Sequence, residues 1–146
     1  MTPHRQWFKS YNRHSVPIRL ADNSLIYSEG IGTVEFQPDD GGPVVKFLDV
    51  LHVPNLRNNL LSPFLLAKQN QYTALINVPT LKFLKDDRVI LTATVNSQNV
   101  GYLNGHSIVY PHMAHYASAM VAISAMSKQK LVKGLTITSS TTPDPI

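Results

Sequence analysis

Residues that form turns interrupt the apolar runs of this chain at short intervals. The 146 residues include ten prolines and seven glycines, and most apolar runs between them are short. Several runs alternate apolar and polar residues, as in residues 33–36, and this period of two is typical of a β-strand. Residues 38–43 form the clearest turn, because Asp-Gly and Gly-Gly sequences adopt positive φ easily. The pattern therefore predicts a mainly β fold and argues against a helical bundle.

About seven strands are predicted in the first hundred residues. Gly30-Ile31-Gly32 is expected to break or bulge one of them, and Val44 to Val53 is expected to be buried on both faces. The predicted strands cover residues 16–20, 25–27 continued by 33–36, 44–53, 72–78, 81–84, 89–95 and 100–103. Asp86-Asp87 is predicted to form the hairpin turn between the strands at 81–84 and 89–95. Strands at this spacing predict a small barrel or sandwich.

Two helices are predicted. Ser62 fits a helix N-cap with Pro63 at the first helical position, and this helix should end by Asn70. Apolar residues near helical spacing between residues 113 and 133 predict a second helix, with Gly134 as its C-terminal cap and an extended segment after it. Residues 139–146 are expected to be poorly ordered. The change in composition divides the chain into a β domain at 1–105 and a segment at 106–146.

Composition excludes several classes of protein. The chain has no cysteine, which excludes disulfides, thiolate catalysis and cysteine-based metal sites. The longest apolar runs, such as residues 120–123, are far shorter than a membrane span, and residues 2–13 lack the apolar core of a signal peptide. We therefore expect an intracellular protein, cytoplasmic or nuclear, with no membrane partner.

The carboxylates do not form a recognisable catalytic motif. No Asp-Thr/Ser-Gly triplet occurs, and the Gly-x-Ser-x-Gly, phosphate-loop and dinucleotide-binding patterns are also missing from the sequence. Asp22 is predicted to cap a turn, and the pairs at 39–40 and 86–87 are predicted to be solvated. Asp49 is predicted to be a paired carboxylate, either buried or at a sheet edge. We predict no catalytic residues and no cofactor site.

The six histidines offer one local pair. His112 and His115 would share one face of a helix, a spacing that a metal ion can use, but a structural zinc site needs four ligands. We predict no metal site, and binding by this pair stays an open alternative. For His52, which lies at the end of a predicted strand, surface exposure or strand-end packing is expected.

The N-terminal segment combines positive charge with aromatic rings. The net charge is +4, and such interleaving is compatible with binding of single-stranded nucleic acid. We favour an amphipathic surface segment, because no recognised nucleic-acid motif accompanies the pattern. The residues concerned are Arg5, Lys9 and Arg13 with Trp7, Phe8 and Tyr11.

Three sequence blocks occur in the order found in a known family. Val16-Pro-Ile-Arg-Leu-Ala-Asp-Asn-Ser24, Gly30-Ile-Gly-Thr-Val34 and Leu51-His-Val-Pro-Asn-Leu-Arg-Asn-Asn-Leu-Leu-Ser62 resemble the protease region of copia-type LTR-retrotransposon Pol polyproteins. This resemblance covers about residues 1–105. Residues 112–146 resemble the start of the GAG-pre-integrase segment that follows in those polyproteins.

The resemblance implies a retropepsin-like closed barrel of about seven strands with one short helix and a C-terminal helical appendage. The family activity is aspartic endopeptidase. Gly30–Gly32 would then belong to the flap-side hairpins, and residues 59–62 to the helical end of the fold. A second copy of the chain or Gag and Pol segments would be the partners, with weak nucleic-acid binding as an alternative.

Two departures from the family pattern bear on activity. The Asp-Ser-Gly-Ala loop of the family would precede Met1, so we expect an N-terminally truncated and inactive protease domain. In the zinc module of the family, His115 matches the second histidine, Tyr110 stands where the first would be, and Ile146 precedes the expected cysteine pair. We therefore expect a Pol fragment without its functional sites, or a binding module derived from one.

Overall fold

The computed structural model describes residues 1–114 and has the predicted mainly β character. The ten strands of this part are β1 (Phe8–Arg13), β2 (Pro17–Arg19), β3 (Leu25–Tyr27), β4 (Gly30–Pro38), β5 (Val45–His52), β6 (Thr73–Asn77), β7 (Thr80–Lys85), β8 (Arg88–Val95), β9 (Gly101–Leu103) and β10 (Gly105–Ser107). One helix, α1 (Pro63–Asn70), lies between β5 and β6, and residues 111–114 are helical. Most of the predicted second helix, its cap, the extended segment after it and His115 lie outside the described residues.

Among the described residues, one compact unit of the fold is formed by Met1–Val34, Leu48–Asn59 and residues 109–114. In it, β1 pairs antiparallel with the Gly30–Val34 part of β4, and β2 pairs only with β3 among the strands of residues 1–114. A buried cluster of Phe8, Tyr11, Val34 and Met113 forms its core.

A second compact unit is formed by Glu35–Phe47 and Leu60–Ile108. Four strands make an antiparallel sheet in the order β6-β7-β8-β9, and β10 pairs with the Phe36–Pro38 part of β4. The core of this unit is formed by Phe36, Val45, Leu66, Phe83 and Leu91. The predicted division at residues 105 and 106 stays a prediction.

The predicted closed barrel is not found among residues 1–114, and this is a correction. The strands form one four-stranded sheet containing β1, β4, β5 and β10, the two-stranded β2–β3 sheet, and the four-stranded sheet from β6 to β9. Alternation along single strands predicts strands but not which edges meet. The number of strands left a barrel and a sandwich open, and the closed barrel was what the family resemblance implied. In this part of the chain β6 and β9 remain sheet edges.

Burial of β5 on both faces is also corrected. Leu48 is 59% exposed, and Asp49 beside it has φ of 54°, in the left-handed region that few non-glycine residues adopt. This backbone turn resets the side-chain alternation, so that Val45 faces the core of the second unit whereas Val50 packs in the first.

The predictions of the first helix and of the turn at residues 86–87 are confirmed. The Ser62 hydroxyl accepts a hydrogen bond from the Leu65 backbone N–H at 3.3 Å, Pro63 opens the helix, and Gln71 closes it in a left-handed conformation. Asp86 and Asp87, both with positive φ, form the turn between β7 and β8. No helix in residues 1–114 is long and apolar enough to span a membrane.

Candidate functional site

A buried polar cluster lies in the first compact unit, where three side chains from separate segments meet. Arg5 lies in a single 3₁₀ turn just before β1, Tyr11 is the fourth residue of β1, and His52 is the last residue of β5. The Tyr11 hydroxyl and His52 Nδ1 are 2.8 Å apart, and the Arg5 guanidinium carbon lies 3.4 Å from the centre of the Tyr11 ring. All three residues are at most 6% exposed, so this cluster is part of the core.

His52 is held in its neutral form. Burial lowers its pKa to about 4, and the positive charges of Arg5 and His4 add to this effect, whereas a hydrogen bond with the Pro3 backbone opposes it. At neutral pH the imidazole therefore carries one proton and shares one hydrogen bond with Tyr11. Of the two predicted roles for His52, strand-end packing is confirmed and surface exposure is wrong.

Tyr11 is likewise neutral at physiological pH. Burial raises the pKa of its hydroxyl to about 12, although the nearby charge of Arg5 acts in the opposite direction. The Arg5 guanidinium lies over the ring face, the arrangement of a cation–π contact. Neither titratable partner of the pair changes protonation near pH 7, so the pair stays a neutral hydrogen bond at physiological pH.

Hydrogen bonds of Thr2 join the first residues of the chain to the end of β5 and to Asn59. The Thr2 backbone N–H donates to the Leu51 carbonyl at 3.0 Å, and the Val53 N–H donates to the Thr2 carbonyl at 2.9 Å. The Thr2 hydroxyl also donates to Asn59 Oδ1 at 2.6 Å. Thr2 is 3% exposed, so these hydrogen bonds are shielded from water.

Gly30 and Gly32 lie inside β4, which corrects the predicted break or bulge. A Cβ atom on Gly30 would overlap the Tyr11 ring, and one on Gly32 would overlap the Ser10 carbonyl of β1. These glycines therefore allow the aromatic ring and the β1 backbone to approach β4 closely. The sequence signal for this close approach is a Gly-x-Gly pair within a strand pattern, which the sequence analysis interpreted as a break or bulge.

The aspartates of residues 1–114 are all exposed. Asp22 Oδ1 accepts a hydrogen bond from the Ser24 backbone N–H at 3.0 Å, which confirms the predicted turn cap, and hydrogen bonds with Ser24 lower the pKa of this carboxyl. Asp49 projects from β5 as an exposed carboxylate and not a buried one. A shared-proton aspartic dyad needs two carboxyl groups held together away from solvent, and no aspartate of this part of the chain is shielded in this way.

The basic and aromatic residues of the N-terminal segment separate into two sets. Phe8 and Tyr11 are buried in the core with Arg5, whereas Lys9 and Arg13 are exposed on β1. Buried rings cannot stack on nucleic-acid bases, so Phe8 and Tyr11 cannot act as the stacking platform that the interleaved pattern suggested. The burial pattern of β1 repeats every three residues because its pairing with β4 shifts register between Phe8 and Ser10.

The histidines of residues 1–114 do not form a metal site. Residues 1–114 contain no group of three or more His, Cys, Asp or Glu side chains arranged to hold a metal ion. His112 is exposed, and its predicted partner His115 lies outside this part. The predictions of no catalytic, cofactor or metal residue therefore stay predictions.

Comparison with known families finds a match for the N-terminal part of the chain. Residues 1–72 match the family model described as Pol polyprotein, beta-barrel domain. The match ends just before β6 and contains the Arg5, Tyr11 and His52 cluster together with both glycines of β4. No curated protein and no solved structure matches the chain. The family match supports a Pol polyprotein fragment, as the sequence blocks had indicated.

Proposed function

We propose that this chain is a retrotransposon Pol fragment of the copia type that resembles the aspartic protease domain and does not itself cleave peptides. The observation that carries the proposal is the match of residues 1–72 to the Pol polyprotein beta-barrel domain. The three ordered sequence blocks favour the copia type, and residues 112–146 favour a GAG-pre-integrase segment after it. An intracellular location, cytoplasmic or nuclear, is part of the same proposal.

Two observations on the chemistry support the absence of peptidase activity. The sequence contains no Asp-Ser/Thr-Gly triplet, the motif that places the catalytic aspartate in this class of protease. The buried polar cluster uses His52 and Tyr11 as a neutral hydrogen-bonded pair, and every aspartate in residues 1–114 is exposed. No pair of shielded carboxylates is therefore present there to accept a proton from a water molecule and to donate one to the leaving group.

A peptidase assay on the full chain tests this proposal. We expect no cleavage of an unfolded protein or a peptide library between pH 4 and pH 7 beyond that of buffer, with mass spectrometry as the readout. Cleavage that a transition-state inhibitor of aspartic proteases blocks, and that Asp49→Asn or Asp22→Asn removes, would contradict it. Sequencing the transcript upstream of the Met1 codon for an in-frame Asp-Ser/Thr-Gly tests whether a longer product carries the activity.

A second candidate is a nucleic-acid-binding module, favoured by the exposed cations of the first unit. Lys9 and Arg13 lie on β1, with His14 next to them and Arg19 on β2, and all four are exposed. Such side chains can contact phosphates without base stacking, which gives weak binding that falls with salt.

Replacing both Lys9 and Arg13 with alanine tests this candidate. We expect weaker binding to a single-stranded oligonucleotide. The slope of log K against log salt should be smaller by about 1.4 for two lost phosphate contacts on a single strand. Lys46→Ala with Lys85→Ala, two exposed lysines of the second unit, is the matched control. Binding that is insensitive to salt, or equally reduced by the control, would exclude this surface. Arg5 is left unchanged because it is buried, and loss of binding in an Arg5 variant would not be distinguishable from loss of folding.

A further inference from the structure

Strand β6 forms an edge of the sheet in the second compact unit, with unusually apolar exposed side chains. Among the strands of residues 1–114 it pairs only with β7, so alternate residues direct their backbone N–H and C=O groups away from the sheet. Every residue of Thr73–Asn77 is exposed, with Leu75 at 54% and Ile76 at 68%. These two neighbours point to opposite faces, so the edge is apolar on both sides.

The charge pattern around β6 is the second observation. No Asp, Glu, Lys or Arg occurs between Lys68 and Lys82, a stretch that contains the whole of β6 and its turn into β7. Soluble proteins usually protect a free edge with an inward charge, a proline within the strand or a bulge. The register of β6 with β7 is regular from Thr73 to Asn77, and its proline, Pro79, lies in the turn beyond the strand.

We propose that β6 is an interaction surface for a second copy of this chain, joined edge to edge as an antiparallel pair about a two-fold axis. An isologous contact of this kind requires a surface that is complementary to itself. A strand edge without charge meets that requirement, because its backbone donors face the acceptors of the other copy and no like charges are brought together. A partner recognised by charge would find no charged side chain on this edge.

The centre of the strand fixes the expected register. Full overlap of the five residues places the two-fold axis at Leu75, so that Leu75 faces Leu75 of the second copy and Ala74 faces its Ile76. Leu75 would then be covered on one face of the joined sheet and Ile76 on the other. Helix α1 contacts β6, and its Phe64 is 86% exposed.

Measurement of the mass of the full chain by sedimentation over a range of concentrations tests the proposal. We expect a monomer–dimer equilibrium that Ile76→Lys weakens at least tenfold, because each lysine would replace the apolar contact with Ala74 of the second copy and the two lysines would lie as diagonal neighbours across the new strand pair. Leu48→Lys is the matched control, since Leu48 is 59% exposed and lies on β5 in the first unit. Circular dichroism of each variant confirms that it remains folded.

Covalent cross-linking tests the register, because the native chain contains no cysteine. In Leu75→Cys the new thiols would lie opposite each other at a distance that a disulfide can span, and mild oxidation should give a covalent dimer. Val89→Cys, at an exposed apolar position of β8, should not cross-link.

A monomer at all concentrations would overturn the proposal, as would a dimer that Ile76→Lys and Leu48→Lys affect equally. A complex in which Ile76→Lys abolishes binding of a different protein, without any dimer of this chain, would assign the edge to that partner and also overturn it. None of these results depends on whether the chain derives from a Pol polyprotein.

Discussion

Replacing Gly32 with alanine is expected to lower the free energy of unfolding by about 2 kcal/mol or more, the cost of forcing an extra group into a closely packed site. The new Cβ atom would overlap the Ser10 carbonyl of the neighbouring strand, and it would also lie 3.0 Å from the Phe8 ring. A backbone carbonyl held in a strand pair cannot rotate away as a flexible side chain could. The change should therefore separate β1 from β4 locally, and urea denaturation would report the loss.

Gly101→Ala provides the control for Gly32→Ala. Gly101 also lies in a strand, but the nearest atoms to its added Cβ would be Leu81 Cδ2 at 3.9 Å and Ala93 Cβ at 4.0 Å, which is ordinary contact. We expect its stability to stay within about 1 kcal/mol of the native chain, the usual scale of a glycine-to-alanine exchange in a strand. Equal stability of the two variants would mean that β1 does not approach β4 at Gly32 as described.

Local signals in the sequence predicted much of the fold. Ser62-Pro63 specified the start of α1 because an N-cap and a first-turn proline act through their own backbone. Asp86-Asp87 and the Asp22 turn were predicted for the same reason, since short polar side chains favour these conformations locally. The family resemblance, carried by residues 16–62, agrees with the family match over residues 1–72.

Features that depend on distant residues were missed. Strand β1 has no alternation to detect, because a register shift in its pairing with β4 gives burial at Phe8 and Tyr11 only. The Tyr11 contact with His52 joins residues 41 positions apart, so no local sequence pattern predicts it. The number of strands likewise does not determine whether they close into a barrel, because closure depends on which strand edges pair.

Acidification is expected to destabilise the first compact unit through His52. The pKa of this imidazole is about 4 in the folded chain and near its ordinary value of 6.5 when unfolded. Between those values the unfolded chain binds the additional proton, so stability is full above about pH 6.5, falls as the pH is lowered, and levels off near pH 4. The loss amounts to about 3 kcal/mol at most, the free-energy equivalent of a shift of this size.

Urea denaturation at a series of pH values between 7 and 4 measures this effect. His52→Gln keeps a group that can accept from Tyr11 but cannot titrate, so its stability should vary much less across the interval. His106→Gln, at an exposed position of β10, should keep the native dependence on pH. Proton NMR of the histidine rings gives a direct readout, in which one ring should remain neutral to about pH 4 and should disappear in His52→Gln. If every ring of the folded chain titrates near pH 6.5, His52 is not buried against Arg5 and Tyr11, and the cluster does not hold the N-terminal residues to β5 in the way described.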